Sequence, residues 1–132
     1  MTSNFFMIYH KTTLKNGLRI ITVPSKVSEA VTVMVVVTTG SDYETKDING
    51  ISHFLEHMCF QGTERRPERG QISKELDSLG AQSNAFTGKE FTGYFAKAHK
   101  KHLEKIFDIV SDIYLNPALK SNAIESEKGV VI

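Results

Sequence analysis

Gly50-Ile-Ser-His53-Phe-Leu-Glu56-His57-Met-Cys-Phe60 is the stretch on which the reading of this chain turns. Ile51, Phe54, Leu55 and Met58 recur at i, i+3, i+4 and i+7, which predicts one apolar stripe of a helix. His53, Glu56 and His57 fall at i, i+3 and i+4 on a different face. Side chains at that spacing stand one above the other, so both imidazoles reach one metal ion while the carboxylate addresses a water beside it. The glutamate directly precedes the second histidine, the reverse of the commoner H-E-x-x-H order. A catalytic zinc takes three protein ligands and keeps a position open for water, and this stretch supplies only His53 and His57.

Working outward, Gly62-Thr63 through Pro67 turns the chain, and Gln71 to Leu79 reads as a short helix stopped by Gly80. Ala81 to Thr87 and Glu90 to Lys97 read as strands joined at Gly88-Lys89. In the second, Phe91, Gly93 and Phe95 share one face and Thr92, Tyr94 and Ala96 the other. His102 to Leu115 is an amphipathic helix with Leu103, Ile106, Phe107, Val110 and Ile113 predicted inward, ended by Asn116-Pro117. Ser121 or Asn122 then caps a last helix that runs through Glu125, Glu127 and Lys128 towards Ile132. Upstream, Tyr9 to Lys15 and Leu18 to Val23 flank Asn16-Gly17, the favoured type I′ pair of a β-hairpin. Val31 to Thr39 is dense in β-branched residues and predicts a strand buried on both faces; Ser41 to Asn49 is a polar loop. The predicted fold is α+β, an antiparallel-rich sheet with helices packed on one face.

Bulk properties exclude several classes. At 132 residues, 40% apolar and 23% charged, the chain has the composition of one globular domain. Its net charge is +1 and no basic stripe stands out, which argues against nucleic acid. The longest apolar run, Val31 to Val37, is far too short for a membrane span. Met1 to His10 carries neither the basic start nor the long apolar run of a signal peptide, and the expectation is an interior protein. Cys59 is the one cysteine and reads as a small core side chain, with soft-metal ligation the alternative. Met7, Met34 and Met58 are core candidates, Glu64 to Arg69 a solvated loop, and His10, His99, His102 and Glu125 surface residues. The chain stops on Gly129-Val-Val-Ile132 with no polar tail, so 1–132 is expected to be the first part of a longer domain.

Taken together, several stretches resemble the M16 family of zinc metallopeptidases, the inverzincins with the processing-peptidase and pitrilysin-like domain. They are His53-Phe-Leu-Glu56-His57-Met with Gly62-Thr63, and the Leu14-Lys-Asn-Gly17-Leu18 turn. Gly40-Ser41 before an acidic loop and Gly50 is similar to the family's approach to its zinc helix. Gly80-Ala-Gln-Ser-Asn84-Ala85-Phe-Thr87 with Glu90-Phe-Thr92 is similar to its strand pair beside the site. Glu125-Ser-Glu127-Lys-Gly-Val-Val-Ile132 resembles the helix that carries its third ligand.

The resemblance implies an endopeptidase that hydrolyses extended peptides or presequences. His53 and His57 would be zinc ligands and Glu56 the base that activates water. Glu127 would support the site, and Asn84 and Ala85 would line the strand on which substrate pairs. The third ligand would be a glutamate roughly two residues past Ile132. The resemblance also implies a second homologous half, in the same chain or in a partner subunit, and a bacterial cytoplasm or a mitochondrial matrix as location. Two rival readings stand beside it. One is a catalytically incomplete fragment or a structural subunit of the same family, against which the intact His53, Glu56 and His57 argue. The other is a metal-dependent enzyme with different chemistry, against which Asn84-Ala85-Phe86-Thr87 argues.

Overall fold

The computed structural model describes residues 8–131; Met7 and Ile132, named above, lie outside them. Strands β1 (His10–Thr13) and β2 (Arg19–Thr22) pair antiparallel, with Thr13 opposite Arg19. The hairpin is present, but its turn is not type I′. Only Gly17 of the pair has positive φ, at 87°, where type I′ needs both. Leu14 N donates to Leu18 O at 2.8 Å and Gly17 N to Leu14 O at 2.9 Å, a type I turn closed by a left-handed glycine. Asn16 contributes through its side chain, whose Oδ1 accepts from Leu18 N at 3.1 Å.

The main sheet is β3 (Ala30–Val37), β4 (Gln82–Thr87) and β5 (Thr92–His99), all antiparallel in the order β3-β5-β4. β5 is central, and its Thr92, Tyr94, Ala96 and Ala98 face the core, as the alternation predicts. β3 departs from expectation. Its exposure alternates residue by residue, with Val31, Val33 and Val35 packed and Met34 and Val36 in solvent, so only one face is covered. It is an edge strand, and a β-branched run marks strand geometry without saying how many faces are buried.

Helices cover that one face. α1 spans Ile51–Phe60, α2 Gln71–Ser78, α3 Leu103–Leu115 and α4 Ser121–Val131. The core joins Cys59 of α1, Ile72 and Leu76 of α2 and Ile106, Ile109, Val110 and Ile113 of α3 to the inward side of β5. Leu103 and Phe107, predicted inward, point outward, Phe107 with 60% exposure. Ile109 and Asp112 take their places in the interior. In α1 the expected stripe is also rotated: Met58 is buried, Ile51 and Leu55 are exposed, and Ser52 and Cys59 turn inward. The helix is turned because its polar face packs against β4 and α4.

α2 ends as predicted at Gly80, which has φ 61°, with Gly80 N bonded to Asp77 O and Ala81 N to Leu76 O. α4 begins one step earlier than expected. Ile124 N donates to Lys120 O at 2.9 Å, so Ser121 and Asn122 lie inside its first turn.

Candidate metal centre

Glu44 sets the start of the helix that carries the motif. Its carboxylate accepts from Gly50 N at 2.7 Å and Ser52 N at 2.9 Å, backbone donors that a helix start leaves without partners. Those two bonds hold the Glu44 carboxyl below the ordinary range. The segment read as a plain polar loop is therefore two short 3-10 turns with a capping carboxylate between them.

From that start α1 presents His53 and His57 side by side. Their Nε2 atoms are 3.1 Å apart and their rings are perpendicular, at 87°. Glu127 Oε1 lies 2.8 Å from His57 Nδ1 and accepts its proton, which turns the His57 Nε2 lone pair towards His53. Two ring nitrogens this close are spaced to share one cation. Zinc–nitrogen bonds near 2.0–2.1 Å in a tetrahedral arrangement place two donors about 3.3 Å apart. The imidazole pair fits that demand. Among the described residues no group of three or more His, Cys, Asp or Glu gathers around one point.

Glu127 comes from α4 and is only 6% exposed. Its Oε2 accepts from Gln61 Nε2 at 2.7 Å, so each carboxylate oxygen has its own donor. Glu56, between the histidines, accepts a hydrogen bond from the Thr87 hydroxyl at the end of β4. An open cleft of about 420 Å³ lies here, lined in part by His53, Thr87, Gly88 and Lys89. Its far wall is held by close backbone contact: Ser41 N donates to Gly88 O and Asp42 N to Lys89 O. Gly40 makes that approach possible, since a Cβ there would lie 2.3 Å from Gly88 O.

Asn84 and Ala85 lie on β4, the outer strand on that side of the sheet. Asn84 is exposed, and its Oδ1 accepts from Ala85 N at 2.9 Å. Cys59 packs inward with its Sγ 3.7 Å from the Tyr94 hydroxyl. Burial pushes both groups up in pKa, and Cys59 packs as part of the hydrophobic core. His10 and His99 are exposed, and Glu125 pairs at the surface with Lys128. His53, His57 and Glu127 are linked in series through the His57 ring; Glu56, on the same helix, is held separately by Thr87, and Asn84 and Ala85 stay apart on β4.

Three residues the sequence reading passed over matter here. Gln61 follows His57 by four, the spacing that already picked out the histidines, so its signal was present. Thr87 gave no such signal, because only the pairing of β4 with β5 sets its side chain over α1. Arg66 lies in the segment read as a solvated loop yet is 4% exposed. Its guanidinium donates to Asp112 at 2.5 Å, Asp108 at 2.6 Å and Glu75 at 3.2 Å. Thr63 Oγ1 completes the cluster with a 2.7 Å bond to Asp112. The backbone then ties the same loop forward, Glu64 N to Asn116 O and Ala118 N to Gly62 O. This cluster fixes the exit of α1 against α3 and the approach to α4, and so brings Glu127 to His57.

A two-histidine helix with a carboxylate beside it, packed on an antiparallel sheet, is the arrangement of a metallopeptidase domain. Residues 19–132 match the family described as Insulinase (Peptidase family M16), and the chain belongs to that family. It is 46% identical over 121 residues to the mitochondrial-processing peptidase subunit beta of Caenorhabditis elegans, covering 92% of this chain and 26% of that protein. It is 41% identical over 119 residues to the uncharacterized zinc protease YmxG of Bacillus subtilis, covering 90% of this chain and 29% of that protein. The crystal structure of a protease from Helicobacter pylori superposes with a TM-score of 0.90 at 30% identity, covering 96% of this chain and 30% of that one. The chain thus spans roughly a quarter to a third of the length of these relatives.

Proposed function

We propose that this chain is the metal-bearing part of a zinc endopeptidase that hydrolyses extended peptides or presequences. The observation that carries the proposal is the convergence of the His53 and His57 Nε2 atoms to 3.1 Å, with Glu127 on the far nitrogen of His57. His53 and His57 hold the metal, and Glu127 fixes the tautomer of His57. The third ligand is a glutamate shortly beyond Ile132. When bound, zinc supplies Lewis-acid polarisation of a carbonyl and lowers the pKa of a water to about 7.

Glu56 is the base. Its carboxylate takes a proton from the attacking water and returns it to the leaving amine, and the Thr87 hydroxyl, from a residue that lines the cleft, holds it in place. Asn84 and Ala85 offer an outer strand edge, on which an extended peptide pairs through main-chain hydrogen bonds with loose side-chain selectivity.

Supporting this reading are the family membership and relatives named as a processing peptidase subunit and a zinc protease. The word subunit in the first of these names supports a partner subunit as the second half, with a half in the same polypeptide as the alternative, and the reading places the protein in a bacterial cytoplasm or a mitochondrial matrix. No helix among the described residues is long and apolar enough to cross a membrane.

The test uses the full-length polypeptide. Purified protein should hold one zinc per site and cleave a quenched fluorogenic peptide. Glu56→Gln should abolish cleavage with zinc retained, while His57→Ala should lose both. Zinc without cleavage in the wild-type protein, alone and with a candidate partner subunit, would instead support the structural-subunit alternative.

A further inference from the structure

We infer that Gln61 is a positioning residue for the metal centre: its side-chain amide pins Glu127, which in turn holds His57 with Nε2 turned to the metal position. The inference rests on the zinc reading of the site and adds to it a residue that neither binds metal nor touches substrate.

Gln61 sits just past α1, with φ −73° and ψ −11°, and its backbone N–H donates to Met58 O at 3.1 Å. The backbone therefore continues the helix by one residue, and the side chain leaves on the same face as His57 four residues earlier. From there Nε2 reaches Glu127 Oε2 at 2.7 Å. An ionised carboxylate accepts at both oxygens, and Glu127, at 6% exposure, has little water to draw on. Its donors are His57 Nδ1 on Oε1 and Gln61 Nε2 on Oε2.

Two donors on opposite oxygens fix the last torsion of a glutamate, which is otherwise broad. If Gln61 is removed, the carboxylate can rotate, and the 2.8 Å bond that selects the His57 tautomer loses its fixed partner. The donor is also neutral. An amide satisfies Oε2 without adding a positive charge, so the charge of Glu127 stays directed at His57 and strengthens it as a ligand. A lysine at this position would keep the positioning and lose part of that charge effect.

The experiment takes the full-length polypeptide as wild type, Gln61→Met and Gln61→Lys. Zinc affinity is measured by competition with a chromophoric chelator. The His57 tautomer is read by nitrogen NMR on zinc-stripped protein carrying labelled histidine. Gln61→Met should weaken zinc about tenfold and spread His57 over both tautomers. Gln61→Lys should keep the wild-type tautomer and weaken zinc by less. The inference is overturned if Gln61→Met matches wild type in both readings, or if Gln61→Lys scrambles the tautomer as fully as Gln61→Met. A wild-type protein that takes up no zinc would remove the peptidase reading instead, and the tautomer measurement would still decide the role of Gln61.

Discussion

Arg66 Nη1 meets Asp112 Oδ2 at 2.5 Å in the interior, an ion pair whose two side chains are 5% and 0% exposed. Burial alone would oppose ionisation of Asp112; hydrogen bonds from Thr63, Asn116 and Arg66 outweigh it and hold the acid below its ordinary range. Truncating Arg66 strands that carboxylate. Arg66→Ala should destabilise the protein by about 3–5 kcal/mol, measured by denaturant unfolding. A loss under about 1 kcal/mol would mean that water replaces the guanidinium freely.

The same cluster sets a pH limit. Asp108 is held low first by the hydrogen bond from Arg66. Glu75 is also held low, because hydrogen bonds from Lys105 and Arg66 overcome the effect of burial. Arg65 pairs with Asp108 on the same patch. For carboxyls with depressed folded pKa, the stabilisation is full above the unfolded values, 3.8 for Asp and 4.5 for Glu, and fades as pH falls through the lower folded values. The melting temperature should therefore drop with acid from about pH 4 downward. Asp112→Asn, although destabilised at neutral pH, should show a shallower acid slope. An equal slope would place the acid sensitivity elsewhere.

Glu127→Gln keeps the shape of the support and removes its charge. Zinc should bind about 10–100-fold more weakly, read by chelator competition on the full-length polypeptide. Unchanged affinity would show that the contact with His57 is steric only.

Thr87→Val should lower kcat about tenfold or more at unchanged KM, because it frees Glu56 without altering the outer strand edge. Thr87→Ser, which keeps the hydroxyl, should restore most of the rate. A valine variant with wild-type kcat would remove Thr87 from the proton-transfer geometry.

Gly40→Ala tests the wall of the cleft. The new methyl would meet two backbone carbonyls, Gly88 O at 2.3 Å and Lys89 O at 2.5 Å, which no side-chain rotation relieves. A destabilisation of about 1–3 kcal/mol is expected. Gly93→Ala makes the instructive contrast. There the obstacle is the partly exposed Phe86 ring at 2.3 Å, which can swing away, so the cost should be smaller. Equal losses would show that the turn yields as easily as the ring does.

Much of this is legible in the sequence, and the exceptions share a cause. The helix over 51–60, the hairpin around Asn16-Gly17, the stop at Gly80 and the inward face of β5 follow from local periodicity and turn chemistry. What failed was orientation against neighbours. Periodicity defines a stripe on α1 or α3, but which residues of it are covered depends on what packs there, so Leu55, Leu103 and Phe107 are exposed while Ser52 and Asp112 are buried. Arg66 is the sharpest case. A charged residue in a polar run reads as solvated, and only the arrival of Asp108, Asp112 and Glu75 from α3 and α2 makes its burial affordable. In the candidate site, the histidines and Glu56 were visible through helix spacing and Glu127 through family resemblance. Thr87 depends on strand register, which spacing along one segment cannot supply.

His57 and Glu127 stand 70 positions apart in the chain. At the usual synthesis rate of 5–20 residues per second, the imidazole pair leaves the ribosome about 4–14 s before its carboxylate. During that interval α1 carries a chelate whose ring orientation nothing enforces. On the proposed zinc reading, firm metal capture would be tied to the docking of α4, so that the ion would be held by a finished fold and not by a nascent helix.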